Sequence, residues 1–229
     1  MAPSLETGTP TSDPLAAGRL CSAFVDALHV SGASISVFGR DGQQSTICAT
    51  DSIAARGETI QFELGEGPHW DALSTGFPAL SPDISVSGDR RWPLFAPAAH
   101  DIGIRAVFAF PMRMGAANVG VVDLYSAVPQ WLDPHQVSLA TSMANRAAAP
   151  AARQAMWSAE NRASPENEMA PALRREVHQA TGMVQAQLEV SATEAFARLR
   201  AYAFTAARPI DDVARDVVSR ELDFSTFTD

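Results

Sequence analysis

Three times between residues 173 and 224 the apolar residues recur at helical spacing, and no other stretch restricts the fold so tightly. Leu173, Val177, Ala180, Val184 and Leu188 make one stripe. Ser191-Ala192-Thr193-Glu194 then reads as a capping box, in which the hydroxyl and the carboxylate each satisfy a free backbone N–H at a helix start. Behind it Phe196, Leu199 and Ala203 share a face. Pro209 opens a third helix, since its fixed φ suits a first turn and its missing N–H costs nothing there. Asp211 and Asp212 follow at the positive end of the helix dipole. Ile210, Val213, Ala214, Val217 and Val218 form the inward face. Helices this short are marginal alone, so the three must pack on one another.

Upstream the pattern changes. Residues 14–30 read as a helix with Leu20, Phe24, Ala27 and Leu28 on one face. Residues 33–38 and 45–50 read as strands joined by the hairpin signal Asp41-Gly42. Ile53 starts a short helix or an irregular segment. A turn at Gly65-Glu66-Gly67-Pro68 leads into a helix ending near Gly76, residues 77–80 are extended, and Arg90-Arg91-Trp92-Pro93 opens a helix that ends near Gly103. Residues 106–112 and 119–125 are apolar strands, and Asp133-Pro134 caps a last helix from His135. This order predicts an α+β domain, an antiparallel sheet flanked by helices, followed by an all-α three-helix bundle. Pro150 is expected to kink or interrupt the Ala-rich helix around it. Ser164-Pro165 is expected to end that helix, and Pro171 to lie at the start of the next. The expected division is a disordered lead over 1–13, the α+β domain over 14–150, a helical linker over 151–170 and the bundle over 171–224.

Two segments resemble known families. Ala180-Thr181-Gly182-Met183-Val184 carries part of the first resemblance, with Ser191-x-x-Glu194-Ala195-Phe196, Leu199-Arg200 and Pro209-Ile210-x-Asp212-Val213-Ala214-x-x-Val217-Val218. In order and spacing these are similar to the ANTAR domain, a small helical bundle that binds RNA in bacterial transcription antitermination. Thr181 stands where that family often has Lys, so this position offers a hydroxyl and no charge. Gly65-Glu66-Gly67-Pro68, Trp92-Pro93-Leu94-Phe95, Phe110-Pro111-Met112 and Val119-Gly120-Val121-Val122-Asp123-Leu124 resemble a GAF domain. Many such domains have Cys after the Gly-Glu-Gly-Pro run. His69 stands there, which removes a cysteine-linked chromophore.

The resemblance implies an RNA face that includes Arg174, Arg175, His178 and Thr181 on the first helix, widened by Arg198, Arg200 and Arg208, with RNA stem-loops as the partner. It also implies a sensor pocket over the sheet for an unknown small molecule. Phe38, Trp70, Trp92, Phe95 and Phe108 are its candidate walls, and His69 and Asp123 its candidate polar groups. The competing reading of each aromatic is plain core, and of each arginine a solvated surface. Gly182 inside a helix costs about 1 kcal/mol against Ala. Close approach of a neighbouring helix is the preferred reason for it, and approach of RNA backbone the other.

Together these imply a cytoplasmic regulator that couples a GAF-like sensor to RNA binding, with two copies pairing through the helices at 14–30 and 135–162. The alternative is a signalling or scaffold protein whose bundle serves dimerisation or protein contacts. The acidic balance and Thr181 motivate it.

Net charge is −9 and every fixed cation is Arg, which argues against non-specific attraction to nucleic acid. RNA binding therefore requires a local basic face. Cys21 and Cys48 are the only cysteines, too few for a disulfide framework, so reduced thiols are expected. No apolar run approaches the roughly 20 residues that span a bilayer, and the polar, Pro-rich N-terminus has no basic signal region. No Gly-x-Ser-x-Gly elbow, phosphate loop, dinucleotide fingerprint or metal-ligand spacing is present. Neither catalysis, a cofactor nor a metal is expected.

Overall fold

Strand β4 (Ala106–Met114) shows how the sheet divides its side chains. Ala106, Phe108, Phe110 and Met112 face one side, and Val107 and Ala109 the other, as the period of a strand requires. In the computed structural model, residues 14–39, 44–84, 91–160 and 172–227 are described. The predicted hairpin residues Asp41-Gly42, the lead over 1–13, and Ser164-Pro165 and Pro171 lie outside them.

The sheet has five antiparallel strands in the order β2-β1-β5-β4-β3. They are β1 (Gly32–Phe38), β2 (Gln44–Ala49), β3 (Ala79–Ser81), β4 and β5 (Ala117–Ser126). Helices α1 (Pro14–Leu28) and α5 (Pro134–Glu160) cover one face. There Cys21, Phe24 and Leu28 of α1 and Ala140, Ala144, Ala147 and Ala151 of α5 meet Ile35, Phe108, Phe110 and Val122. Small residues on α5 let the helix lie close to the sheet. Helices α2 (Ser52–Leu64), α3 (Pro68–Thr75) and α4 (Phe95–Asp101) cover the other face, over Val107, Ala109, Val121 and Tyr125.

Local chemistry sets the helix ends. Asp51 caps α2 by accepting from the N–H groups of Ile53 and Ala54, both at 2.8 Å. The Ile53 segment is thus a regular helix. The Gly65-Glu66-Gly67-Pro68 run joins three helices. Gly65, at φ 63°, ends α2, Pro68 opens α3, and Glu66 accepts from the Leu94 and Phe95 N–H groups at the start of α4 (2.5 and 2.6 Å). Asp133 and Gln136 form a reciprocal capping box at α5.

The C-terminal bundle consists of α6 (Ala172–Leu188), α7 (Ala192–Thr205) and α8 (Ile210–Val218), closed by a single 3₁₀ turn, Phe224–Phe227. Val177, Ala180, Val184, Leu199, Val213 and Val217 are fully buried among them, as the three stripes require. Of the capping box at α7, one half forms: Ser191 Oγ accepts from the Glu194 N–H at 3.2 Å, while the Glu194 carboxylate turns to Arg198.

Three expectations are corrected. Cys21 and Cys48 are joined in a disulfide, because α1 lies against the sheet face where β2 ends and brings the Cα atoms to 6.2 Å. Pro150 does not interrupt α5, which runs on to Glu160 with one ladder donor missing. Residues 151–160, expected as helical linker, form the last part of α5. Gly182 lies on the exposed side of α6, and a Cβ added there would meet nothing within 4 Å, so no neighbouring helix explains it.

Candidate sensor pocket and nucleic-acid interface

Under α2 the sheet carries polar side chains that are buried and joined to one another. His69, only 1% exposed, donates from Nδ1 to Asp123 Oδ2 at 2.6 Å. A carboxylate can only accept, so this bond places the proton on Nδ1. Gln61, on α2, holds the pair from above. Its Oε1 accepts from the His69 backbone N–H at 2.8 Å, and its Nε2 lies 3.4 Å from Asp123 Oδ1. Glu58, one turn earlier, accepts from Gln44 Nε2 at 2.9 Å and from Thr46 Oγ1 at 3.0 Å. His69 Nε2, Gln44 Oε1 and Ser36 Oγ are buried without a hydrogen-bond partner. Tyr125 donates to Asp51, and burial, with that bond second, pushes its hydroxyl up to about 12.

Phe38 and Trp70 flank the His69 ring, at 5.7 and 5.4 Å between centroids. Phe95 lines a cavity with Ser34, Glu58, Gln61, Asp123 and Tyr125. Its volume is about 20 Å³, room for about one water molecule. Trp92 is buried beside Phe95 and donates to Asp71, so it closes the wall from outside. Phe108 is also among the residues that line the cavity, while its ring packs in the core on the α1–α5 side of the sheet.

Asp123→Ala is expected to cost about 1–3 kcal/mol, because it leaves both His69 ring nitrogens buried without a partner. Asp123→Ala/His69→Phe should recover part of that loss. Urea unfolding checks both, and an unaltered midpoint in the single variant would remove the pair's structural role.

Among the predicted RNA residues whose side chains are described, two turn away from the others. Arg174 and Arg175 lie in the first turn of α6. Thr181 Oγ1 donates back to Val177 O at 2.7 Å. Arg198 pairs with Glu194 at 2.8 Å and Arg208 with Asp216 at 2.7 Å, both on the surface, where such pairs contribute little. His178 and Arg200 instead face the sheet domain. His178 Nε2 lies 3.0 Å from Gln44 O of β2. The half-buried Arg200 guanidinium abuts Gly65 and lies 5.7 Å from the Phe196 ring. Burial lowers its pKa.

A profile of the GAF domain matches residues 16–149. The chain belongs to the GAF domain family. A profile of the ANTAR domain matches residues 168–218 behind it. No curated protein matches the chain in sequence. Among solved structures, the GAF domain of the cyanobacteriochrome TePixJ is 15% identical, with 67% of this chain and 99% of that one covered and a TM-score of 0.49. The GAF domain of an Acinetobacter phosphoenolpyruvate-protein phosphotransferase is 14% identical (63% and 85% covered, TM-score 0.48). A type II free methionine-R-sulfoxide reductase from Thermoplasma acidophilum is 12% identical (61% and 92% covered, TM-score 0.45). GAF and ANTAR domains are sensory and regulatory modules, and the chain is a regulator that joins one of each. Among the described residues, no helix is long and apolar enough to cross a membrane.

Sequence reasoning missed Gln61, which ties the polar cluster of the GAF domain together, and Phe62, which meets the bundle. Gln61 touches His69 and Asp123 with its side chain, and its backbone carbonyl accepts from Trp70 Nε1 at 2.6 Å. Phe62 is 6% exposed, although it sits on a GAF helix. It is covered by the ANTAR bundle, with the Phe196 ring 4.8 Å away. Neighbouring Glu63 is pushed up by burial, drawn down by Arg56 and raised again by Asp211 of the bundle. One signal was available: Phe62 is an apolar residue set between polar Gln61 and Glu63.

Proposed function

We propose that the chain is a cytoplasmic regulator of transcription antitermination, in which the GAF domain senses a small molecule and governs RNA binding by the ANTAR bundle. Gln61 carries the coupling. It bonds to the His69–Asp123 pair beside the pocket, and its carbonyl holds Trp70, which packs against the bundle cluster. A ligand that enlarges the small cavity must move α2 or the α3 start, and both bear on the bundle. RNA binding is supported by the ANTAR match and by Arg174 and Arg175 at the start of α6. No catalytic or cofactor role is proposed. Two copies would pair along the outer sides of α1 and α5.

The test is binding to short RNA hairpins over a range of salt concentrations. An Arg174→Ala/Arg175→Ala chain is expected to bind at least tenfold more weakly, with a salt slope shallower by about 1–2. Equal binding by variant and parent would move the RNA face elsewhere. One observation favours the scaffold reading, namely that Glu194 and Asp216 pair with Arg198 and Arg208. No hairpin binding at low salt, with and without cell extract as a source of ligand, would support it.

A further inference from the structure

The ANTAR face that turns toward the GAF domain is enclosed by it. Arg200 is the clearest case. Its guanidinium fits into the turn at Gly65, where even an added Cβ would collide with it. Phe196, one turn earlier on α7, flanks the same guanidinium and stacks against Phe62. Across the groove His178 reaches the Gln44 carbonyl. A guanidinium reads phosphate or a base edge through its outward N–H fork. The half-buried Arg200 guanidinium lies between a ring and a glycine turn, so the turn fills part of the space that a phosphate or base would need. Gly65 has φ 63°, a conformation that costs glycine nothing and a side-chain residue a good deal. The absent Cβ both ends α2 and makes the seat for Arg200.

The contact is an apolar anchor ringed by polar groups. Phe62 inserts among bundle residues, with Trp70 packed beside it. Beside Phe62, Glu63 pairs with Arg56 at 3.4 Å.

We infer that the α2–α3 turn of the GAF domain and RNA compete for one face of the ANTAR bundle, the face of His178, Phe196 and Arg200, and that the docked arrangement excludes RNA. This rests on the RNA reading above. The seat at Gly65 is then a built-in competitor, and sensor ligand acts by loosening it.

In the full chain, Phe62→Ser removes the apolar anchor from the bundle cluster. If undocking is the step before binding, apparent affinity scales with the undocked fraction, and the variant should bind a randomised-loop hairpin pool about tenfold more tightly than the parent. Adding Arg200→Ala to Phe62→Ser should cancel the gain. Thermal melting of Phe62→Ser must still show the GAF transition. A second measurement needs no substitution: hydrogen exchange of the parent with saturating hairpin RNA should speed up over residues 60–70. Equal affinity of parent and Phe62→Ser, or unchanged or slower exchange over 60–70 with RNA bound, overturns the competition while RNA binding stands. No binding by parent, Phe62→Ser or any other variant overturns both readings.

Discussion

Replacing Cys21 and Cys48 together by alanine is expected to lower stability by about 3–4 kcal/mol, the loop-closure entropy released when a cross-link over a separation of 27 residues is removed. For a domain this size that is a fall in melting temperature of about 10 °C. The bond joins α1 to β2, and β2 is an edge strand whose only sheet neighbour is β1. Without it the strand is held by one ladder and by the Glu58 contacts to Gln44 and Thr46. The end of β2 at Cys48 then opens more readily. Reductant should act on the parent as the double substitution does and should leave the substituted chain unaffected. Scanning calorimetry with and without dithiothreitol separates the outcomes. Equal melting temperatures for oxidised parent, reduced parent and variant would mean that the cysteines are adjacent thiols. The test also bears on the setting. In a reducing compartment the bond is exposed to exchange with the thiol pool, so the weaker, reduced form is the working one there.

Where local sequence forces one answer, the fold was readable. Val177, Ala180 and Val184 repeat at three and four and are all fully buried, and the apolar run of β4 is buried on both faces of the sheet. Ser191 caps α7 as its hydroxyl allows. Helix α2 was not readable, for a physical reason. Its inward side carries Glu58 and Gln61, at 2% and 4% exposure, because it covers polar residues of the sheet. A helix with polar groups on its buried face has no apolar stripe to find. The disulfide was hidden because spacing says nothing about a helix and a strand that meet through the fold. His178 and Arg200 show a different limit. Their position on polar faces was evident, but a polar face points to solvent only when no second domain covers it. Phe38 and Trp70, expected as walls, and His69, expected as a polar group, pack on one another. The small cavity near them depends on how far Gln61 and Phe95 reach, which no pattern encodes.

Leu199→Ala is expected to cost about 2–5 kcal/mol, since truncating a fully buried leucine loses apolar contact and leaves a cavity. The bundle can spare little of that. It rests on three short helices, two of which, α7 and α8, have 14 and 9 residues, and so small a unit buries too little apolar surface to hold a large reserve. From the GAF side, Phe62 and Trp70 join this cluster, so the damage should stay on the C-terminal side. The GAF transition should then remain nearly where it is, while the helical signal of the bundle melts at lower temperature. Leu199→Met, which keeps the volume, should cost less than about 1.5 kcal/mol and restore the bundle. Circular dichroism melting with hydrogen exchange over 177–217 reads both variants. Hairpin binding follows the same order if the packed bundle is the RNA-binding unit. Undiminished binding by Leu199→Ala above the temperature at which its bundle has melted would place the RNA contact on the remaining chain.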